Sequence, residues 1–430
     1  MNIHIRLGLV LLVCASGAAP ARAQSAQDSL AERVRQAEEA IQRLQQQLEE
    51  QAQSKVQSRL RNRVEISGLI LVNGFYNGAK FNNADVPQFV AVPQDTTGLP
   101  NSSIGGVIRQ TRLGIAVSGA HALGADLSAD LQVDFFGGQQ ASAAGRTHPQ
   151  LRIRTASLKV DWPHLGLLIG QESPLVAQLN PVSFAGSGFP DFAAAGNLWL
   201  WIPQARMTLE TGSSVRFGIQ AAALAPMLPS PQTAFLTQSD RAEKSGRPSA
   251  EARIYLGWGS DETESAIGFG VHRGWVATTG DSTLSSQALT ADFRIAFGSA
   301  VSIAGEAFTG QALAGLGGGG IGQNLGPDNR PVRTRGGWVQ LNVRPSFEWE
   351  LGGGYGMDDP TDCDLGGSTC APAATARLKN VVYQGHLHLR PGGGLLLGAE
   401  FRRFQTTYRV GAVASTVSAN HVNAFVGIAF

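Results

Sequence analysis

The chain has 430 residues, with 34 basic against 33 acidic side chains and a formal net charge of +1. It therefore lacks the bulk field that draws in nucleic acid. Charged residues make up 16%, glycines number 53 and mean hydropathy is −0.04, which excludes a bundle of membrane helices and suits a transmembrane sheet whose two faces average out.

Residues 1–23 read as a signal peptide: Arg6 supplies positive charge, Leu7 to Val13 an apolar stretch, and Ala21-Arg22-Ala23 an A-x-A cleavage site. A lipid anchor on Cys14 is the weaker reading, because Val13 fits poorly before it. Beyond the leader no apolar run reaches the roughly 18 residues a membrane helix needs. Residues 24–60 carry a heptad seam at Leu30, Val34, Ala37, Ile41, Leu44 and Leu48, which fades at Gln51 and Lys55. About three heptads are marginal alone, and tethering to an oligomeric partner would hold them together. A lone amphipathic helix, or a tether that grips cell wall or a partner, competes with this periplasmic coiled coil.

From residue 61 to 430 the pattern has period two. Ala125, Leu127, Ala129, Leu131, Val133 and Phe135 share one face, and Asp126, Ser128, Asp130, Gln132 and Asp134 the other, as only a strand sorts them. The same parity recurs in Val215 to Ala223 and in Val422 to Phe430. About sixteen strands follow, at 63–74, 107–119, 123–136, 151–161, 165–171, 204–211, 213–224, 247–258, 263–275, 284–297, 300–311, 333–344, 347–356, 377–390, 394–408 and 419–430. Long connections (75–106, 137–150, 172–203, 225–246, 312–332, 357–376, with shorter ones at 276–283 and 409–418) alternate with tight turns such as His121-Ala122, Gly212 and Pro345-Ser346. Long loops on one rim and short periplasmic turns on the other mark an all-β, antiparallel outer-membrane barrel. A soluble sandwich has no reason to alternate loop lengths. Trp162, Trp258, Phe297 and Phe430 fall at one set of strand ends and Phe135, Trp275 and Tyr355 at the other, as interfacial girdles do.

Phe430 on its alternating strand resembles the C-terminal signature of bacterial outer-membrane barrels. Joined to the heptad segment and to Arg109-Gln110-Thr111-Arg112-Leu113-Gly114 at the second strand, it gives the chain a resemblance to the DcaP-like porins. The likeness covers the mature chain in layout, although its sharpest motif is six residues long, and phosphate-selective porins share the coiled coil. It implies a homotrimer in the outer membrane of a Gram-negative-type bacterium, embedded in outer-membrane lipid and passing small anions such as dicarboxylates.

A barrel of this size encloses an aqueous channel. The strand parity turns Arg112, Lys159, Arg206, Arg216, Arg253, Arg294, Arg344, Arg390 and Arg402 inward. Asp126, Asp130 and Asp134 face them from one acidic wall, and Glu251, Glu306, Glu350 and Glu400 are among the other inward acids. Lumenal arginines either bind anionic solutes bidentately or pair with neighbouring acids. Loop 172–203 is nearly free of charge and is predicted to fold inward as a constriction, with Phe184, Phe189, Phe192 and Trp199 toward the solute; folding over the mouth or into a protomer interface is the alternative. Arg109, Arg152, Arg154 and Arg335, with Arg273, Arg377 and Lys379, have lipid-facing parity near the extracellular rim and are expected to meet lipopolysaccharide phosphates, unless bulges turn them inward. Cys363 and Cys370 can close a local disulfide in an oxidising compartment. No catalytic constellation is found: His386, His388 and His421 have no Ser- or Cys-centred motif beside them. His386-x-His388 reads as lumenal polar residues, so neither a metal nor another cofactor is expected.

Overall fold

The computed structural model describes residues 62–92, 98–137, 149–228, 239–260, 263–280, 282–410 and 413–430. The signal peptide and heptad segment lie outside these residues. The strands are β1 (Arg63–Asn77), β2 (Ser103–Val107), β3 (Arg112–Ala122), β4 (Ala125–Asp134), β5 (Arg152–Asp161), β6 (Leu165–Glu172), β7 (Ile202–Thr211), β8 (Val215–Leu224), β9 (Ser249–Trp258), β10 (Ser265–Ala277), β11 (Thr283–Phe297), β12 (Val301–Gln311), β13 (Arg333–Val343), β14 (Trp349–Pro360), β15 (Arg377–Gly392), β16 (Leu395–Val410) and β17 (Val413–Ala429). Each pairs antiparallel with its neighbours, and β1 pairs with β17 to close the sheet. Both β2 and β3 pair with β1, with Asn73 opposite Val107 and Leu69 opposite Arg112. They are two halves of one stave broken at 108–111, so the 17 segments make a closed barrel of sixteen staves.

Closure rests on the last residue. Gly68 N donates to Phe430 O at 2.9 Å and Phe430 N to Gly68 O at 3.1 Å. The Phe430 ring lies across Gly68, where a Cβ would come within 2.4 Å of the ring carbon Cζ; only glycine admits the ring there.

The two faces obey the pleat. In β1, Leu69, Leu71, Asn73, Phe75 and Asn77 point inward and are buried, while Ile66, Ile70, Val72 and Tyr76 lie exposed outside. Ile219, Ile254, Phe269, Val271 and Leu289 continue this outer apolar band. So extended a surface exceeds what soluble monomers present to water; hydrocarbon is its natural solvent.

Several boundaries differ from the sequence reading, and the strand predicted at 107–119 is interrupted by the break at 108–111. The turn predicted at 121–122 is Leu123-Gly124, both with positive φ (56° and 73°), the backbone of a tight hairpin that matches strand twist. The loop predicted at 409–418 is strand instead, because β16 and β17 stay paired from Leu395↔Ile428 to Val410↔Val413.

Candidate functional site

The segment between β6 and β7 does not cover the mouth. It runs around the inside of the wall, and inward carboxylates and amides receive its backbone in sequence. Leu175 N donates to Glu251 on β9 (2.6 Å), Leu179 N to Glu306 on β12 (2.8 Å) and Val182 N to Gln340 on β13 (2.7 Å). Phe184 N and Ala185 N then donate to Glu400 Oε1 on β16 (2.7 and 3.1 Å), and Ser183 Oγ to Glu400 Oε2 (2.7 Å). The segment next meets the stave break. Gln110 Nε2 donates to Ala185 O at 2.7 Å and accepts from Gly188 N at 2.8 Å through Oε1. The bonds to the Glu251 and Glu400 carboxylates are charge-assisted and among the stronger ones available.

Side chains lock the segment as well. Phe192 stacks on Trp338, centroids 6.2 Å apart, and enters a hole where Cβ atoms at Gly354 or Gly356 would meet its ring at 2.9 and 2.6 Å. Gly196 (φ 99°) passes so near Gly337 that a Cβ would lie 2.1 Å from the carbonyl oxygen. Leu175, Val176, Ala177 and Leu198 join Leu313 and Leu316 of the β12–β13 loop in one apolar cluster. A third long loop also turns in: Phe81 and Val90 pack with Phe192 and Phe404, and Val90 N donates to Thr406 Oγ1 at 3.0 Å.

No protein-family model and no curated protein matches the chain. Among solved structures it is similar to the crystal structure of the outer membrane channel DcaP of Acinetobacter baumannii, with a TM-score of 0.66 and 15% identity, covering 87% of this chain and 99% of that one. The fold is that of the porins. It is also similar to an anion-selective porin from Comamonas acidovorans (TM-score 0.53, 12% identity, 86% and 100% covered) and to Salmonella typhi OmpF in complex with daunomycin (0.52, 9%, 87% and 100%). The resemblance drawn from the sequence is thus met at the level of fold.

Within this porin fold the inward basic residues divide into two groups. Arg253 is buried against Asp292 (Nε to Oδ2 2.9 Å), Arg216 pairs with Glu264, and Arg402 is buried with Asp191 of the lumenal segment and with Glu400. Arg344 and Arg390 share Glu350 Oε2 (2.6 and 3.1 Å), and Lys159 lies 3.5 Å from Asp130. Among the described residues Arg206 bonds only to Ser173 O and Gln204 Oε1. Arg112 and Arg294 have no ion pair among the described residues. Arg112, Arg390, Gln132 and Phe184 line a cavity of about 560 Å³, and Arg294, Arg344, Asn180 and Val182 another of about 250 Å³.

Asp134 is fully buried against Arg152 (2.6 Å) and Arg154 (3.0 Å). Asp130 accepts from Thr155 and Ser157, and Asp126 pairs with His121. The next strand thus supplies counter-charges to Asp134 and, through Lys159, to Asp130, whereas Asp126 meets His121 of β3.

Three lipid-facing expectations are corrected. Arg109, Arg152 and Arg154 point inward: Arg109 Nε meets Asp85 at 2.6 Å, and Arg154 donates to Ser187 O of the lumenal segment. Arg109 sits in the stave break. A register shift between β4 and β5 buries both Arg154 and Thr155, reversing the parity of β5, as a bulge does. Arg335 stays outside, 3.0 Å from Asp359, and Arg273 bonds Gln287 there. Arg377 turns to Ile321 O and the Phe89 ring.

A second correction concerns the aromatics. Phe192, 3% exposed, wedges the segment against the wall at Trp338, and Trp199, 4% exposed, packs on Phe189 and Trp201 within the segment, so neither offers a face to a solute. Phe184 and Phe189 are half-buried.

Cys363 and Cys370 are bonded. Between them Asp364, in the one-turn helix α1 (Asp362–Leu365), receives Arg333 bidentately (2.7 and 3.0 Å) and Arg330 at 3.2 Å. Burial pushes the Asp364 carboxyl up, but the Arg333 hydrogen bonds and both guanidinium charges outweigh it and hold it below its ordinary value.

Proposed function

We propose that the protein is an outer-membrane porin, a water-filled diffusion channel for small hydrophilic solutes, with a preference for anionic organic acids such as dicarboxylates. The observation that carries the reading is a polar lumen, narrowed by residues 173–201, in which Arg112, Arg206 and Arg294 make no ion pair among the described residues while the inward acids Glu251, Glu306, Glu350 and Glu400 are consumed by backbone donors, arginine or histidine. An unpaired guanidinium presents a planar fork that matches a carboxylate, and two of them on different staves suit a solute with two. The fold shared with an anion-selective porin agrees with this. Trimeric assembly in outer-membrane lipid belongs to the same proposal and is checked by cross-linking in native membranes. Single-channel recording across a salt gradient tests selectivity: a reversal potential of anionic sign and current block by dicarboxylates beyond that by neutral sugars are expected. A cation-selective potential would overturn the solute class and leave the channel standing.

A further inference from the structure

On the outside of the wall, at the rim of the long loops, the register lines up two rows of side chains across β10 to β13. The upper row is Arg273, Gln287, Gln311 and Arg333, each opposite the next. The row beneath is Val271, Leu289, Thr309 and Arg335, with Asp359 of β14 beyond. Together with Pro360 to Cys363, which run into α1, these rows line a cavity of about 1020 Å³. Its floor is apolar and bare: Leu289 is 61% exposed and Val271 48%, and Phe269 below them continues the band that faces hydrocarbon. Arg273, Arg333 and Arg335 are exposed at its edges. Charge beside hydrocarbon costs little at the interface, where long cationic side chains reach for the headgroup level.

Cations outweigh acids around this cavity. Asp364 alone serves both Arg330 and Arg333, Asp359 holds Arg335 at 3.0 Å, and Asp362 in the lining has the Arg409 charge nearby. Arg333 and Arg335 are gripped through Nε and Nη2, which leaves Nη1 of each to a further acceptor. Among the described residues Arg273 makes no ion pair: its Nη1 meets Gln287 Oε1 at 2.7 Å, and its Nε–Nη2 edge, a fork that fits phosphate bidentately, is not used. Three inter-strand spacings, roughly 14 Å, separate Arg273 from Arg333 and Arg335, so guanidiniums bracket the cavity on both flanks with two carboxamides between. Across the barrel, near the ends of β2 and β5, Ile104, Leu151 and Ile153 are exposed at this rim, while Arg109, Arg152 and Arg154 turn into the lumen.

We propose that this cavity binds a phosphate-bearing glycolipid of the outer leaflet. Its phosphates lie on Arg273 at one flank and on Arg333 and Arg335 at the other, its sugar hydroxyls meet Gln287 and Gln311, and its acyl chains run down over Val271, Leu289 and Phe269. Only an anionic amphiphile satisfies both halves of the lining. A free phosphate would leave Leu289 and Val271 bare, and a neutral lipid would leave the guanidiniums without counter-charge. The inference rests on the outer-membrane placement of the barrel and is independent of solute preference.

The test titrates the full chain, delipidated in detergent, with an acylated glucosamine disaccharide phosphorylated at both ends, with its dephosphorylated form and with soluble glucosamine 6-phosphate, and reads bound molecules by native mass spectrometry. The wild type should hold the bisphosphorylated lipid at least about tenfold more tightly than the dephosphorylated one. Arg273→Gln and Arg335→Gln should each weaken it about fivefold, and the double variant more than about tenfold, whereas Arg216→Gln inside the barrel should leave it unchanged. Single-channel conductance of the double variant should match the wild type, which separates loss of lipid from failure of the channel; a wild type that forms no channel would sink the porin reading whatever lipid it holds. Equal retention of the two lipid forms, which the wild type alone decides, or undiminished binding by the double variant would overturn the proposal. Equally tight binding of glucosamine 6-phosphate would mark a free-phosphate site instead, and chain-to-chain photo-cross-linking from position 287 in native membranes would mark this face as covered by a second copy; either overturns it.

Discussion

Replacing Phe192 by alanine isolates the anchoring of the lumenal segment from its chemistry. The ring is 3% exposed, stacked on Trp338 and seated where Gly354 and Gly356 have no side chains. Truncating so buried a phenylalanine costs about 3–5 kcal/mol, transfer and cavity together. The cost falls on the local docking equilibrium, because the sheet hydrogen bonds of the barrel are untouched. At about 1.4 kcal/mol per decade, the undocked form of residues around 190–197 becomes more populated by about two to four orders of magnitude. The neighbouring ties, Asn380 Nδ2 to Ala194 O at 2.9 Å and Leu179 N to Glu306 at 2.8 Å, remain to limit the excursion. Planar-bilayer recordings of F192A should show higher conductance and more open-channel noise, and limited proteolysis from the lumen should cut near 190–197, while the unfolding temperature of the barrel stays within a few degrees. Unchanged conductance together with unchanged proteolysis would show that the segment is held without Phe192, and the knob-in-hole argument would fail.

Charge reversal at the lumenal arginines makes a separate prediction. Arg112→Glu or Arg294→Glu should change the anion-to-cation permeability ratio by about two- to tenfold toward cations at low salt and less at high salt, whereas Arg335→Glu on the outer face should leave it alone; equal effects from both would refute the assignment of faces. Opening the link between Cys363 and Cys370, seven residues apart, by Cys363→Ser should loosen residues 361–376 by about 2–3 kcal/mol on the chain-entropy relation. That loosening is read as faster loop cleavage, with no shift in barrel melting. Asp364, whose carboxyl is held below its ordinary value, contributes stability that is complete above the unfolded pKa of about 3.9 and is lost as pH falls through the depressed folded value. Pepsin should therefore cut loop 361–376 slowly near pH 4 and faster toward pH 2, a rise that Arg333→Ala should move to higher pH; a cleavage rate flat across that range would remove Asp364 as the latch.

The barrel was legible because its signal is local. Ile66, Ile70 and Val72 outside and Leu69, Leu71 and Asn73 inside follow from a period that any short window shows, and Phe430 ends that pattern where closure needs it. Parity fails where the ladder slips. Arg109, Arg152 and Arg154 read as lipid-facing because one extra residue in a stave reverses every side chain beyond it, and nothing in Arg-Ile-Arg-Thr announces the slip. The six-residue segment around Gln110 makes sense only in three dimensions: the stave breaks there so that Gln110 can clamp Ala185 and Gly188 and Arg109 can reach Asp85. Low charge pointed residues 172–203 inward, but the partners of that segment are spread from Glu251 to Glu400, and the hole for Phe192 is made by glycines more than 160 positions away.

The same distance limits any estimate of selectivity from composition. Inward acids and bases nearly balance in the sequence, so their sum predicts an indifferent pore. The register removes most of them from the sum in pairs: Asp134 with Arg152 and Arg154, Asp292 with Arg253, Glu350 with Arg344 and Arg390. A paired charge in the wall presents a dipole to a passing ion, and its field falls off faster than that of a single charge. What a solute meets is the remainder, and the remainder contains Arg112, Arg206 and Arg294. Reversing one of these three should therefore shift the permeability ratio more than reversing Arg253, although all four carry the same charge and lie inside the same barrel.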